Sequence, residues 1–569
     1  MFATENSKKR SPNETYESKK AKVKKLEEDQ KEFLCAVLHG ELDEVKKFLK
    51  SGTVDVEDKN NFEMCTVLHF ASRAGNIPII EELLKNGANI DAKEGCIGKT
   101  PIFYAVEKGQ GFLPHFEDPK RSSHLEVVKF LLQNGANLHS LIEEDRDTIL
   151  HLCEVPEVIE FLIKSGVSIE ARNKFEETPI YDAVSEYRGN IDILRILLKN
   201  GARVNVENDE KMSPLFYAID QDSPDDQKTE FVLELLKHGA NPNAANIAKC
   251  TPFQLAMENG NFKIAKELIN YGAKSNVICK RNETPLHIAA KNGQVDLVKD
   301  LLKNSAKVQA RNDQKETPLH LAVKTANSST RKLVGSVEDH IKIVKELIKH
   351  GANVNAIDHT GKPPIFEAIE VETPELAMLL LDHGADPNVI DHVKRSLLHY
   401  AAEYKFAKLV ERLLKLGVSV NAQDNNKETP LNLAIAWEFF DETHSEHDMI
   451  DTALILLKHG ANPNSVCSLG NSTLLRMISS PKLASILLDY GGDVNLNYNN
   501  SGLTPLHGWL TIHPTVFTPK DEEVVTIMLK KSNHINFTIQ FKGKTVLETA
   551  LEKGYHNIVK MMILKKNLL

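Results

Sequence analysis

The sequence predicts an all-α solenoid, a stack of small helix-turn-helix units repeated along the chain. Three observations carry this. The phrase Thr284-Pro285-Leu286-His287-Ile288-Ala289-Ala290 returns as Thr317-Pro318-Leu319-His320-Leu321-Ala322, as Ser396-Leu397-Leu398-His399-Tyr400-Ala401-Ala402 and, nearly, as Thr429-Pro430-Leu431-Asn432-Leu433-Ala434. The interval is fixed: 317 less 284 and 429 less 396 both give 33. A Gly-Ala-Asn phrase also recurs, at Gly87, Gly135, Gly239, Gly351 and Gly460. Such a period means that one unit is stacked many times, which gives a long surface and no obvious place for chemistry.

Each element of the unit has its own justification. Thr caps a helix whose first turn takes Pro, because the missing N–H is unused there. That short apolar helix ends near a glycine, as in Asn292-Gly293. A second helix carries an apolar stripe at helical spacing, as in Val295, Leu297, Val298, Leu301 and Leu302. The glycine of Gly-Ala-Asn supplies the left-handed residue that stops it. An extended stretch such as Val354-Asn355-Ala356-Ile357-Asp358 then leads to the next Thr-Pro turn.

These residues closely resemble the ankyrin repeat, including its T-P-L-H-x-A signature. Units open near Thr66, Thr100, Thr148, Thr178, Ser213, Thr251, Thr284, Thr317, Pro363, Ser396, Thr429, Thr473, Thr504 and Thr545. A partial unit precedes them, with Phe33, Leu34, Ala36 and Val37 in its first helix and Val45, Phe48 and Leu49 in its second. The period gives about 14–15 units. The resemblance implies a curved right-handed stack with short β-hairpin-like fingers along one edge. It also implies a concave face that grips protein partners, and no enzymatic activity in the repeat itself.

Composition sets further bounds. The 569 residues carry a formal net charge of −9, unevenly spread. Residues 1–25 hold Lys8, Lys9, Arg10, Lys19, Lys20, Lys22, Lys24 and Lys25 against Glu5, Glu14 and Glu17, a balance of +5. The remainder therefore carries −14, that is −9 less +5. An acidic body with a basic tail predicts no direct nucleic-acid binding. The seven cysteines show no C-x-x-C pairing, which suits reduced thiols inside a cell. No stretch approaches the roughly 20 apolar residues of a membrane span, and the polar start lacks the apolar core of a secretory signal. A protein of the nucleus, the cytoplasm or both is expected, with a monomer as its expected state.

The expected organisation is a disordered basic tail over 1–25 and a repeat array over 26–569. The tail is poor in large apolar side chains. Its two clusters, Lys8-Lys9-Arg10 and Lys19-Lys20-Ala21-Lys22-Val23-Lys24-Lys25, resemble a bipartite nuclear import signal, which an import receptor reads as an extended strand. A solvated tail is the alternative. Extra residues at 110–123, 220–228, 325–338, 437–449 and 511–522 lie between the two helices of their units.

Chemical motifs mostly dissolve into the repeat. Gly98-Lys99-Thr100 and Gly543-Lys544-Thr545 look like phosphate-loop endings, but Lys93 and Thr538 stand where its first glycine belongs. Histidines 69, 151, 287, 320, 399 and 507 recur at one place in the signature. The resemblance implies that each ties neighbouring repeats together. His444 and His447 sit among carboxylates in a loop without cysteine, so no metal site is expected. No cofactor is expected, and no Ser/His/Asp or Cys/His grouping stands apart from the signature.

Finger tips do little for packing, so their side chains are candidates for partner contact. From the middle onward they are often basic: Lys280, Arg281, Arg311, Lys315, Lys362, Lys394, Arg395 and Lys427. Aligned fingers make these a row facing an acidic or phosphate-bearing segment. Ordinary solvated turns interspersed with Glu283, Asp313 and Glu316 are the alternative. Tyr404 and Trp437, near the ends of first helices, are candidate aromatic anchors. Trp509 occupies the signature's alanine place, which implies local repacking. The last helix carries Met561 and Leu564 where a repeat usually has polar residues, which suits a cover or docking surface.

The expected function is a non-enzymatic scaffold or adaptor binding proteins on its concave surface. The alternatives are a regulator resembling ankyrin inhibitors of transcription factors and an effector of an intracellular microbe. A metal-dependent enzyme at His444 and His447 is the rival of another class.

Overall fold

The computed structural model describes residues 16–59, 64–107, 123–221, 224–327, 335–436, 445–468, 472–476, 480–497, 502–511 and 518–568. The chain divides into two compact units, Met1–Lys274 and Ser275–Leu569.

Within each unit the pattern is one of paired helices. First helices such as Val67–Ala74, Pro285–Lys291, Pro318–Lys324 and Leu397–Glu403 begin directly after the Thr or Ser read as their cap. Second helices such as Ile77–Lys85, Val295–Lys303 and Ala407–Lys415 follow after a short turn. In the second unit, first helices pack on first helices and second helices on second helices, so two helical rows run side by side. The same holds inside the first unit, where Val67–Ala74 packs on Pro101–Tyr104 and Pro156–Lys164 on Ile191–Lys199. The core between the rows is aliphatic: Leu286, Ala289, Val298, Leu301 and Leu319 are buried.

Many of the described connections are tight turns closed by one side chain. Asn312 Oδ1 accepts the backbone N–H of Gln314 (3.0 Å) and of Glu316 (2.9 Å). Asn173, Asn208, Asp358, Asp391 and Asp424 repeat this bond pair in their own turns. The residue two before the cap is left-handed: Lys249, Lys315, Lys394 and Lys427 have φ of 62°, 55°, 62° and 57°, and Gly361 takes the same place at 85°. The fingers are therefore mostly Asx-closed turns. Among the described residues the one hairpin ladder is Gln540–Phe541 with Lys544–Thr545, around the Gly543-Lys544-Thr545 phrase.

Two sequence expectations change here. A helix runs Tyr16–His39 and so takes in residues 16–25 of the stretch expected as a tail. Lys, Glu, Ala and Leu dominate this stretch, and all are strong helix formers continuous with the apolar turn at Phe33 and Val37. Lys8, Lys9 and Arg10 lie outside the described residues, as do the side chains of Lys19, Lys20 and Lys22. Some of the extra residues also extend second helices. Residues 225–228 belong to Asp225–Lys237, with Lys228 buried, and residues 519–522 of the last insertion belong to the helix Pro519–Lys531.

Candidate partner-binding face

The signature histidines explain how the fingers are held. His287 Nδ1 accepts the Thr284 backbone N–H at 3.1 Å and lies 2.8 Å from the Thr284 hydroxyl, which completes a capping box. Its Nε2 lies 3.0 Å from the Glu316 carbonyl at the base of the next finger. A carbonyl only accepts, so Nε2 carries the proton and Nδ1 is the acceptor. His69, His151, His320 and His399 repeat this geometry on the carbonyls of Lys99, Glu177, Lys362 and Glu428. Burial pushes these imidazoles below their ordinary range, His69 to about 4. They are neutral structural ties between adjacent repeats, as the resemblance implied.

A second tie was not read from the sequence. The residue just before the cap pairs with the one seven after the cap, in the last turn of the first helix or, for Glu107, just past its end. Lys99 meets Glu107, Lys362 meets Glu370 and Lys544 meets Glu552. The polarity reverses in Glu283–Lys291 (3.7 Å) and Glu316–Lys324 (2.8 Å). The sequence carries this signal as opposite charges eight apart. That spacing crosses a turn–helix junction and falls outside the helical i,i+3 and i,i+4 rules.

These ties sort the predicted basic row. Arg395 points inward: its guanidinium meets Glu403 at 3.0 Å and Asp424 at 3.3 Å, beneath the Tyr400 ring. Lys362 is likewise engaged by Glu370. Arg311 is exposed, with Nη1 donating to the carbonyls of Lys315 (3.3 Å) and Ile357 (2.7 Å). Lys280, Arg281, Lys315, Lys394 and Lys427 are exposed on their turns. Of the acids expected to intersperse them, Glu283 and Glu316 are buried against lysines, and only Asp313 is exposed.

The aromatic candidates divide differently. Tyr404 is half-buried and stacked on Phe406, with ring centroids 5.7 Å apart, so part of its face belongs to its own repeat. Trp437 and His444 lie outside the described residues. Among the described residues no group of three or more His, Cys, Asp or Glu side chains could hold a metal ion. Trp509 is fully buried and its indole N–H donates to the Leu474 carbonyl at 3.0 Å. Tyr187, which the sequence reading passed over, is 88% exposed just after the first helix Pro179–Asp182. In the last helix Met562 is buried, whereas Ile563 and Leu564 are exposed.

Backbone bonds stitch neighbouring finger tips in the second unit: Asp313 N–H to Arg281 O (3.2 Å), His359 N–H to Gln314 O (2.9 Å) and Asn425 N–H to Val393 O (3.0 Å). The model of ankyrin repeats (3 copies) matches this chain over residues 33–140, 153–246, 215–312, 253–358, 312–391 and 372–466. The chain belongs to the ankyrin-repeat family. The array is similar to the putative palmitoyltransferase ZDHHC13 of Danio rerio, 28% identical over 34% of this chain and 33% of that protein. It is 31% identical to the B-cell lymphoma 3 protein homolog of Mus musculus over 26% of this chain and 29% of that one. It is 28% identical to the transient receptor potential cation channel subfamily A member 1 of Homo sapiens, over 42% of this chain and 20% of that one. The chain thus spans a third or less of the length of each of these relatives. Ankyrin repeats are protein–protein interaction modules, and the finger tips with the exposed ends of the first helices form the candidate interaction face.

Proposed function

We propose that this ankyrin protein is a non-enzymatic scaffold or adaptor that binds protein segments on the finger face of its units. The observation that carries this reading is the division of labour among polar side chains. Signature histidines, turn-closing Asn and Asp residues and the eight-apart ion pairs are all spent on joining repeats. The side chains left over for recognition are those at finger tips and first-helix ends, including Tyr187 and Lys394. The test is a photo-crosslinking amino acid placed in the full chain at Tyr187 or Lys394, against control positions Lys303 and Lys349 on second helices. Discrete protein adducts from the first pair are expected. Adducts arising only from the second pair would overturn the reading.

Nuclear entry through the basic segment is part of the same proposal. Its support is the paired clusters in the sequence, with Lys24 and Lys25 exposed on the helix Tyr16–His39. Changing Lys19, Lys20, Lys22, Lys24 and Lys25 to Ala should abolish nuclear accumulation; unchanged distribution would remove this part.

A further inference from the structure

Five consecutive fingers of the second unit, residues 278–282, 311–315, 357–361, 390–394 and 423–427, share an asymmetry that net charge hides. Their exposed ionised side chains are Lys280, Arg281, Arg311, Lys315, Lys394 and Lys427 against the single acid Asp313. The acids are present but turned inward. Asp358 and Asp424 are buried as turn closers, and Asp391 is occupied by the Tyr400 hydroxyl and two backbone N–H groups. The rim is therefore cationic on a chain whose formal charge is −9.

The same rim is also aliphatic at one register position. Six residues before the cap stand Ile278, Arg311, Ile357 and Ile390, the isoleucines 61%, 52% and 58% exposed. A lone exposed isoleucine says nothing. Three of them in one place on four consecutive fingers, with an arginine in the gap, form a mixed apolar–cationic ridge. Fingers follow the stacking of their helices, roughly 10 Å per repeat. An extended chain advances about 3.3 Å per residue, so about every third residue meets the next finger.

We infer that this ridge binds an extended, acidic polypeptide segment with aliphatic side chains at about every third position. The aliphatic groups cover Ile278, Ile357 and Ile390, and the Asp, Glu or phosphorylated residues between them meet the exposed lysines and arginines. Charge complementarity fixes the occupant: a basic segment is repelled, and a nucleic acid has no aliphatic side chains to set against the isoleucines. The inference rests on the scaffold reading and narrows it to one surface and one partner chemistry.

The test is a selection of random peptides of about 15 residues displayed on phage, against the full chain. It is followed by affinities of the recovered peptides for three proteins. These are the wild type, the charge variant Lys280→Glu, Arg281→Glu, Lys394→Glu, and the apolar variant Ile357→Ser, Ile390→Ser. All five positions are exposed, so unchanged helical circular dichroism is expected of both variants. The expected result is a set of acidic-aliphatic peptides that each variant weakens by about tenfold or more, with salt weakening them further. A set that is neutral or basic overturns the inference, as does a set indifferent to either variant. Binding of a labelled single-stranded oligonucleotide that falls in the charge variant and ignores the apolar one, with no peptide behaving as expected, identifies a general polyanion patch instead. Finger-face crosslinks to a protein partner alongside any of these failures would leave the scaffold reading standing and remove only this one.

Discussion

Arg395 and Glu403 face each other at 3.0 Å across eight residues, tying the base of a finger to the last turn of the helix it opens. Asp424 of the next finger, almost wholly buried, shares the same guanidinium at 3.3 Å. One arginine therefore joins two repeats, and it is structural rather than a contact for a partner. Arg395→Ala leaves two carboxylates with little water, and about 2–4 kcal/mol of local stability should be lost. Faster amide exchange over Leu397–Glu403 and residues 424–428 is the readout. Exchange unchanged there would mean that the network contributes nothing.

The eight-apart pairs should tolerate inversion. Lys362→Glu alone sets like charges beside Glu370 and near Glu367, and should lower the melting temperature. Adding Glu370→Lys should recover most of the loss, because Glu316–Lys324 already runs with that polarity. Both side chains are partly solvated, so the coupling in a double-mutant cycle should be about 0.5–1 kcal/mol. A coupling of zero would deny the pairs a role.

The signature histidines predict acid sensitivity. Burial holds His69 at about 4 when folded, against roughly 6.5 for the unfolded chain. Between those values the unfolded state binds more protons. The contribution of His69 is therefore complete above about pH 6.5 and declines as pH falls toward 4. Protonation also removes the Nδ1 acceptor used by Thr66. The array supplies its own control, since Asn432 stands at this position and accepts the Thr429 hydroxyl. His69→Asn should cost about 1 kcal/mol at pH 7 and flatten the loss between pH 7 and 5. Thermal melts at both pH values decide it; an equal slope in the two proteins would contradict the argument.

Trp509 is a core residue of its repeat. Replacing it with Ala opens a cavity and breaks its bond to Leu474, at a cost of about 3–5 kcal/mol. In a Trp437→Phe background the remaining indole should emit to the blue of free tryptophan. Red emission would show Trp509 to be wet.

Asparagine side chains form a further ladder. Asn355 donates to the Gly384 carbonyl at 2.9 Å and accepts the Asp386 N–H at 2.8 Å, and Asn464 does the same with Gly491 and Asp493. Asn355→Ala should cost about 1 kcal/mol, the bonds being solvent-exposed. It should speed exchange at Asp386 more than at Ala377; equal effects would argue against a local tie.

The repeat was legible in the sequence because one physical requirement recurs: a capped helix, an apolar second helix, a left-handed stop. Its histidines could be assigned for the same reason, since a catalytic group has no cause to be copied. Burial within the fingers was not legible. Glu283, Glu316 and Asp424 look like surface acids in a polar turn, and only the folded turn aims them inward. Arg395 misled for the mirror reason, its neighbour Lys394 being exposed while it is not. The helix Tyr16–His39 was missed because a lysine-rich stretch was read for charge rather than for helix propensity, which the same residues favour.

We propose that the fingers and first-helix ends are where this ankyrin protein meets its partner. Hydrogen–deuterium exchange of the full chain, with and without a protein recovered by the finger-face crosslinks, tests it most directly. Protection should fall on finger residues such as 278–282 and 390–394 and on the ends of the first helices they flank. Protection confined to second helices such as Val295–Lys303 and Ala407–Lys415 would contradict the claim.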